Sequence, residues 1–287
     1  PTRKELDLAA PKHPVKFQTG PDCSVNSLAL KLSGIDKNFQ LPEGDRGRIE
    51  RDEQGEPTGI LRNASQHIKA KSPEKSATPE ERRERLRLLL ADYNAVGLTS
   101  IADRGAGEDA IRLYQQLHEA DQLTCRVFCS YFIGGQQKVE EVEQAIQKAA
   151  DHPLHQENRW IWVRGVKAML DGGMLTGSAY MQKPWGVSDI YSIRDPEYQG
   201  IRFIPQDKLE RIARFALERD LQFTAHSVGD GAVQALVDAY AAINETLPVK
   251  PQRPCITHCN FMSAEAIAKM KEIGIVADLQ PDWLWLD

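Results

Sequence analysis

The 287-residue sequence has no apolar run long enough to span a membrane, and its first residues, PTRKELDLAAPKHP, carry no signal-peptide core. It has no basic stripe, and its net charge is -5, which argues against a nucleic-acid partner. It has no GxGxxG after its first strand-like segments, which argues against a dinucleotide-binding open sheet. Its cysteines number five, an odd count at scattered positions, and suggest no disulfide framework. Cys125/Cys129 and Cys255/Cys259 each sit four residues apart in apolar segments, without zinc-finger spacing, and read as small core residues.

What remains is ordinary for a globular chain: 41% hydrophobic and 27% charged residues, with length for one large α/β domain or two small ones. Two regions differ in texture. Residues 1–77 are rich in charge and turns. HPVKFQ reads as a strand, SVNSLALKLSGI as a short helix ended by glycine, and GRIERDEQGEPTGILRN as two strands around a turn. A polar connector, KAKSPEKSATPEE, follows.

Residues 78–287 then alternate strand and helix. Thr78-Pro79-Glu80-Glu81 is a helix start. The strands LTSIADR, TCRVFCSYF, WVRGVKAMLD, LQFTAHS, PCITHCN and GIVADLQP are separated by amphipathic helices. Such alternation predicts a parallel sheet with right-handed crossovers, either doubly wound or most of a (β/α)8 TIM-type barrel. In a barrel, functional groups collect at the C-terminal ends of strands. Those ends here carry Asp103, Lys167, Asp171, His226, His258 and Gln280.

Period-2 alternation sharpens the pattern. Gln222, Thr224 and His226 share the face opposite Leu221, Phe223 and Ala225, so His226 is expected to point into the barrel mouth. Gly165, Lys167, Met169 and Asp171 share another face, with small Gly165 expected to leave room for the lysine. Neutral imidazoles are good ligands for zinc and similar ions. Lysine can join them only after losing its charge, and carboxylation by CO2 does this. The competing reading is an ion pair from Lys167 to Asp171 or Asp103, with two hydrogen-bonded core histidines. His13, His67, His118, His152 and His155 read as solvated, and Asp230 as a helix cap or a support behind the site.

At these residues the sequence resembles the amidohydrolase superfamily, and within it the subgroup that includes N-substituted formamide deformylase. VNSLALKLSGI and RDEQGEPTGILR match the inserted segment of that subgroup, and GLTSIAD, VKAMLDGGMLTGSA, AHSVGDGAV, ITHCNFMS and GIVADLQPDW match its barrel strands in order. The resemblance implies one or two divalent ions, zinc favoured, and water as nucleophile toward an amide-like C–N bond in a small-molecule substrate. It places Lys167 as a carboxylated bridging ligand and His226 and His258 as ligands, which are also the catalytic candidates. Arg104, Asp171, Ser178, Trp185 and Gln280 become pocket candidates, and Asp230 a second layer.

The family's first barrel strand ends in His-x-His and its last in a catalytic aspartate. The sequence holds no His-x-His, and neither Asp282 nor Asp287 falls where that aspartate is expected. The expectation is an internal piece of a longer enzyme, a barrel lacking its first and last strands, inactive alone and prone to pair its edges with another chain as a homo-oligomer. A non-catalytic or degenerate barrel that binds a ligand or partner is the rival, and an open-sheet transferase or dehydrogenase a third reading. Localisation stays open.

Overall fold

The computed structural model describes residues 1–70, 77–156 and 158–282. Asp287 and the middle of the KAKSPEKSATPEE connector lie outside them.

The first region begins with α1 (Arg3–Ala9), which opens on a capping box: Thr2 accepts from the Glu5 amide while the Glu5 carboxylate accepts from the Thr2 amide. Strands β1 (Lys16–Thr19) and β2 (Asp22–Val25) follow. Then come α2 (Ser27–Ser33), β3 (Arg48–Arg51) and β4 (Pro57–Arg62). Neither α1 nor β2 is among the elements expected from sequence, and Ser24 and Val25 belong to β2 rather than to a helix. The helix begins later because the Asn26 side chain accepts from the Ala29 amide at 3.0 Å, a stop for the strand and a cap for α2. The four strands pair antiparallel in the order β1-β2-β4-β3. They share a small core with α2, built on Cys23, Val25, Ala29, Leu30, Ile35 and Leu61.

The second region starts with α3 (Pro79–Ala95), capped by Thr78 and Glu81 as its sequence requires. It continues through β5 (Ser100–Ala106), α4 (Glu108–Glu119), β6 (Arg126–Phe132), α5 (Val139–Ala150) and β7 (Ile161–Met169). After a long loop come α6 (Gln206–Leu217), β8 (Gln222–Ser227), α7 (Asp230–Asn244), β9 (Cys255–His258), α8 (Ala264–Ile273) and β10 (Val276–Asp278). All strand pairs are parallel, and the sheet order is β10-β9-β8-β7-β6-β5. That order follows the chain without reversal. A doubly wound sheet reverses its order at a switch point, whereas a barrel wall does not. The described strands therefore form an arc of TIM-type barrel wall.

One face of the arc is apolar. Val166, Ala168, Phe223, Ala225 and Ile256 pack against Val142, Ile146, Leu209, Ile212, Val233 and Leu236 of the helices. The other face carries Lys167, Thr224 and His226, as alternation predicts. Gly165 has a different role from the one expected. A Cβ there would lie 2.3 Å from the Gln222 carbonyl oxygen, so the glycine is required by the approach of β8 and not by the lysine side chain. All five cysteines are free and buried, as small core residues should be.

Candidate functional site

Lys167 lies within β7, paired in register with Thr224. The competing ion pairs do not form. Asp171 is fully buried and spends both oxygens on backbone amides, Oδ1 accepting from Val228 at 3.0 Å and Oδ2 from Gly229 at 2.8 Å and Tyr180 at 3.0 Å. Asp103 accepts from the Gly105 amide and the Tyr114 hydroxyl, each at 3.1 Å. Among the described residues no carboxylate lies within ion-pairing distance of the Lys167 ammonium. Burial, and then the nearby Arg104 guanidinium, hold its amine below the usual lysine value.

His226 and His258 come together from β8 and β9, their rings edge to face with centroids 4.6 Å apart. Each ring has one nitrogen held by a neutral oxygen acceptor. His226 Nε2 donates to the Gly172 carbonyl at 3.1 Å, and His258 Nδ1 to Gln280 Oε1 at 2.6 Å. A carbonyl oxygen can only accept, so the proton stays on those nitrogens and the lone pairs fall on His226 Nδ1 and His258 Nε2. This is the outer support that metal-binding imidazoles use. Burial, then the charge of the neighbouring His258, push His226 down to about 4. Burial also lowers His258, against the bond from Gln280. Both rings are therefore neutral near pH 7.

The backbone at this spot is strained. His258 has φ +85° and Cys259 φ +51°, two consecutive left-handed residues that are not glycine. Such geometry costs free energy and clusters at functional sites.

The donor set suits a divalent cation in part. Two neutral imidazoles with fixed tautomers meet at the ends of β8 and β9, and Lys167 of β7 has no carboxylate within ion-pairing distance among the described residues. Among the described residues, no three His, Cys, Asp or Glu side chains converge closely enough to hold an ion without the lysine.

The sequence profile of the amidohydrolase family matches residues 1–285. The chain belongs to that family. Its relatives include LONG AFTER FAR-RED 3 of Arabidopsis thaliana, 25% identical over 99% of this chain and 48% of that protein. N-substituted formamide deformylase of Arthrobacter pascens is 26% identical over 85% of this chain and 43% of that protein. This amidohydrolase chain thus spans about half the length of the curated relatives it matches. An uncharacterised metal-dependent hydrolase from Pyrococcus furiosus superimposes over 100% of the chain and 54% of its own length, with a TM-score of 0.62 at 20% identity, a likeness of fold.

Several residues of the amidohydrolase chain lie where the sequence did not put them. Arg104 reaches across the wall, donating to Asp278 at 2.8 Å and to Gln222 at 2.7 Å, so it ties β5 to β10. Asp171 and Ser178 are fully buried and hold loops. Trp185 donates to the Ala179 carbonyl at 2.8 Å and braces the same loop. Gln280, half-buried, accepts from His258 Nδ1. Asp230 does not cap α7, whose cap is Gly229; it accepts from the Gln182 amide at 2.8 Å and secures the long loop behind His226. His67, His152 and His155 are half-buried and hydrogen-bonded, unlike exposed His13 and His118.

The glycines of HSVGDGA answer to packing. A Cβ on Gly229 would sit 2.0 Å from the Tyr180 carbonyl oxygen. Asp22 of β2 is the residue that sequence reading missed. It is 2% exposed and accepts from Ser178 at 2.6 Å. Only its polar character beside the strand-like CSV hinted at a buried role.

Proposed function

We propose that this chain carries part of the active site of a metal-dependent hydrolase that cleaves a C–N bond of an amide or formamide type. The observation that carries the reading is the pair of imidazoles with opposite nitrogens fixed as donors, with a lysine on β7 that has no carboxylate partner among the described residues. His226 and His258 would hold the ion through the nitrogens left with lone pairs. When bound, a divalent cation supplies Lewis acidity toward a carbonyl and makes a water more acidic. Zinc is the first candidate, and imidazole ligation also suits iron, nickel or manganese.

Lys167 would enter as a carbamate. Its neutral nitrogen attacks CO2, the N–C bond forms, one C=O pair moves onto oxygen, and the nitrogen loses a proton to water. The product replaces a disfavoured ammonium with an anion that can accept a cation. Gly172 and Gln280 keep both rings from rotating, and Asp171 clamps the loops after β7 and β8 so that the rings stay at their strand ends. The kinship with N-substituted formamide deformylase supports the C–N assignment at the level of family.

The test is metal content by mass spectrometry on the purified chain and on the complete protein. Near-stoichiometric metal that falls in His226→Ala and in Lys167→Ala supports the reading. Absence of metal from the complete protein sinks it. A second reading, a barrel piece that binds without turnover, is favoured by the lack of a three-residue His, Cys, Asp or Glu cluster among the described residues. A parent reading frame with both His-x-His and a distal aspartate decides against that rival.

A further inference from the structure

The peptide linking Gly172 to Gly173 is gripped from both sides. Its carbonyl accepts from His226 Nε2 at 3.1 Å. Its N–H donates to Ser178 Oγ at 3.0 Å. Ser178 in turn donates to Asp22 Oδ2 at 2.6 Å, and Asp22 Oδ1 accepts from the Asn63 amide at 2.7 Å. Ser178 is fully buried and Asp22 is 2% exposed. Asp22 lies on β2 of the antiparallel sheet, 156 residues from Ser178.

Every link has one possible direction. A carboxylate can only accept, so the Ser178 proton points at Asp22. The serine oxygen is then an acceptor for the Gly173 amide, and the opposite end of the same peptide is an acceptor for the imidazole. Bonds in series polarise one another, and the carboxylate at the far end gives them a common sense. Gly172 has no room to move aside, because a Cβ there would lie 2.0 Å from Ser178 Oγ. Thr176 adds a hydroxyl 2.8 Å from Ser178 Oγ.

We propose that Asp22 is a positioning residue for His226, acting through Ser178 and the Gly172–Gly173 peptide, so that the inserted sheet sets the orientation and tautomer of a ring in the barrel. In its consequence for metal binding this rests on the hydrolase reading; in its consequence for the ring it does not. Asp22 never touches the ring. An asparagine in its place would turn its N–H2 to the Asn63 amide or to the Ser178 hydroxyl, losing one of the two bonds and, in either case, the charge that gives the series its sense, at nearly constant shape.

The experiment compares the wild-type chain with Asp22→Asn, Ser178→Ala and Glu50→Gln, below the unfolding temperature of each. Glu50→Gln disturbs the same sheet through the Arg62 pair without touching the series. Two readouts need no metal: the ring-nitrogen NMR shifts of His226 at neutral pH, and hydrogen exchange at the Gly173 amide. A third is the affinity for Zn2+ alone. The expected result is a single Nε2–H tautomer in wild type and in Glu50→Gln. In Asp22→Asn and Ser178→Ala we expect a mixed tautomer, Gly173 exchange faster by about tenfold or more, and Zn2+ affinity lower by about 10- to 100-fold. An unchanged ring and amide in both series variants overturns the proposal, as does an equal change in Glu50→Gln. Wild type and complete protein that bind no Zn2+ sink the hydrolase reading alone, because the ring and amide readouts still decide the positioning role.

Discussion

The antiparallel sheet and the barrel wall are held together by different forces. The wall is fastened to its helices by side chains without polar atoms: Phe223, Ala225, Ile256, Leu209 and Leu236 are buried together. The sheet has only a small apolar core, and it meets the wall through polar bonds. These include Asp22 to Ser178, Arg62 to the Tyr191 carbonyl, and Asn63 to Gln136. Apolar contact is strong but indifferent to small rotations, whereas a buried hydrogen bond demands one geometry. The wall supplies stability, and the joint supplies register between the loop after β7 and the ring of His226.

The comparison breaks most visibly by attacking each force at its centre. Phe223→Ala removes a fully buried ring from the wall and is expected to cost about 3–5 kcal/mol in urea unfolding. Glu50→Gln leaves the Arg62 guanidinium, also fully buried, without its opposite charge at 2.6 Å, and a loss of about 3–5 kcal/mol is expected. Arg62 Nη1 has no partner among the described residues, so nothing nearby can take over. The two losses are alike in size but not in reach. Phe223→Ala should lower the stability of the barrel region, while Glu50→Gln should first speed amide exchange in the sheet. Equal exchange in both regions for both variants would remove the distinction.

A somewhat smaller effect lies in pH. His226 in the folded chain sits at about 4, below its ordinary 6.5. Between those values the unfolded chain binds a proton that the folded chain refuses, so this ring adds stability as pH rises and withdraws it as pH falls. A shift of that size is worth roughly 3 kcal/mol. Asp171, 3.7 Å away, runs the other way. Burial raises it to about 7 against its three amide donors, so the folded chain holds the extra proton and stability falls as pH rises toward 7. The two slopes oppose each other across the same window. The lowered His258 adds to the slope of His226, so wild type still gains stability as pH rises, and Asp171→Asn is expected to gain more than wild type between pH 4 and 6.5 by roughly 3 kcal/mol, read by urea unfolding at both ends. A wild type as steep as the variant would mean that the amide donors keep Asp171 ionised throughout.

The wall was legible in the sequence, and the joint was not. Alternation in LQFTAHS put His226 on the inner face, and the strict strand–helix repeat gave a parallel sheet, because both are periodic signals, while the repeat alone left the strand order open between a doubly wound sheet and a barrel. For His258 a place near a strand end was not enough: alternation in β9 puts it with Ile256, and its ring reaches that of His226 where the backbone turns to φ +85°. Asp171 and Ser178, read from sequence as pocket residues, are fully buried, and the difference has one physical reason. A polar residue near a strand end looks the same in sequence whether it faces a pocket or satisfies buried amides. Asp22 was invisible because its partner lies 156 residues away and no period links them. Helix α1 was a different failure, since its Thr2–Glu5 capping box is as readable as the one at Thr78.

That second capping box gives the smallest test. Thr78 and Glu81 cap α3, a 17-residue helix that leans on the wall through fully buried Leu90 with half-buried Leu86 and Tyr93 beside it. Thr78→Ala orphans the Glu81 amide and should cost about 1 kcal/mol. Because the cap lies on the apolar side of the comparison, the loss should appear in thermal unfolding and leave the His226 tautomer and the Gly173 amide untouched. A change in either would mean that the ring responds to any loosening of the barrel, and that the polar joint holds no privileged position over it.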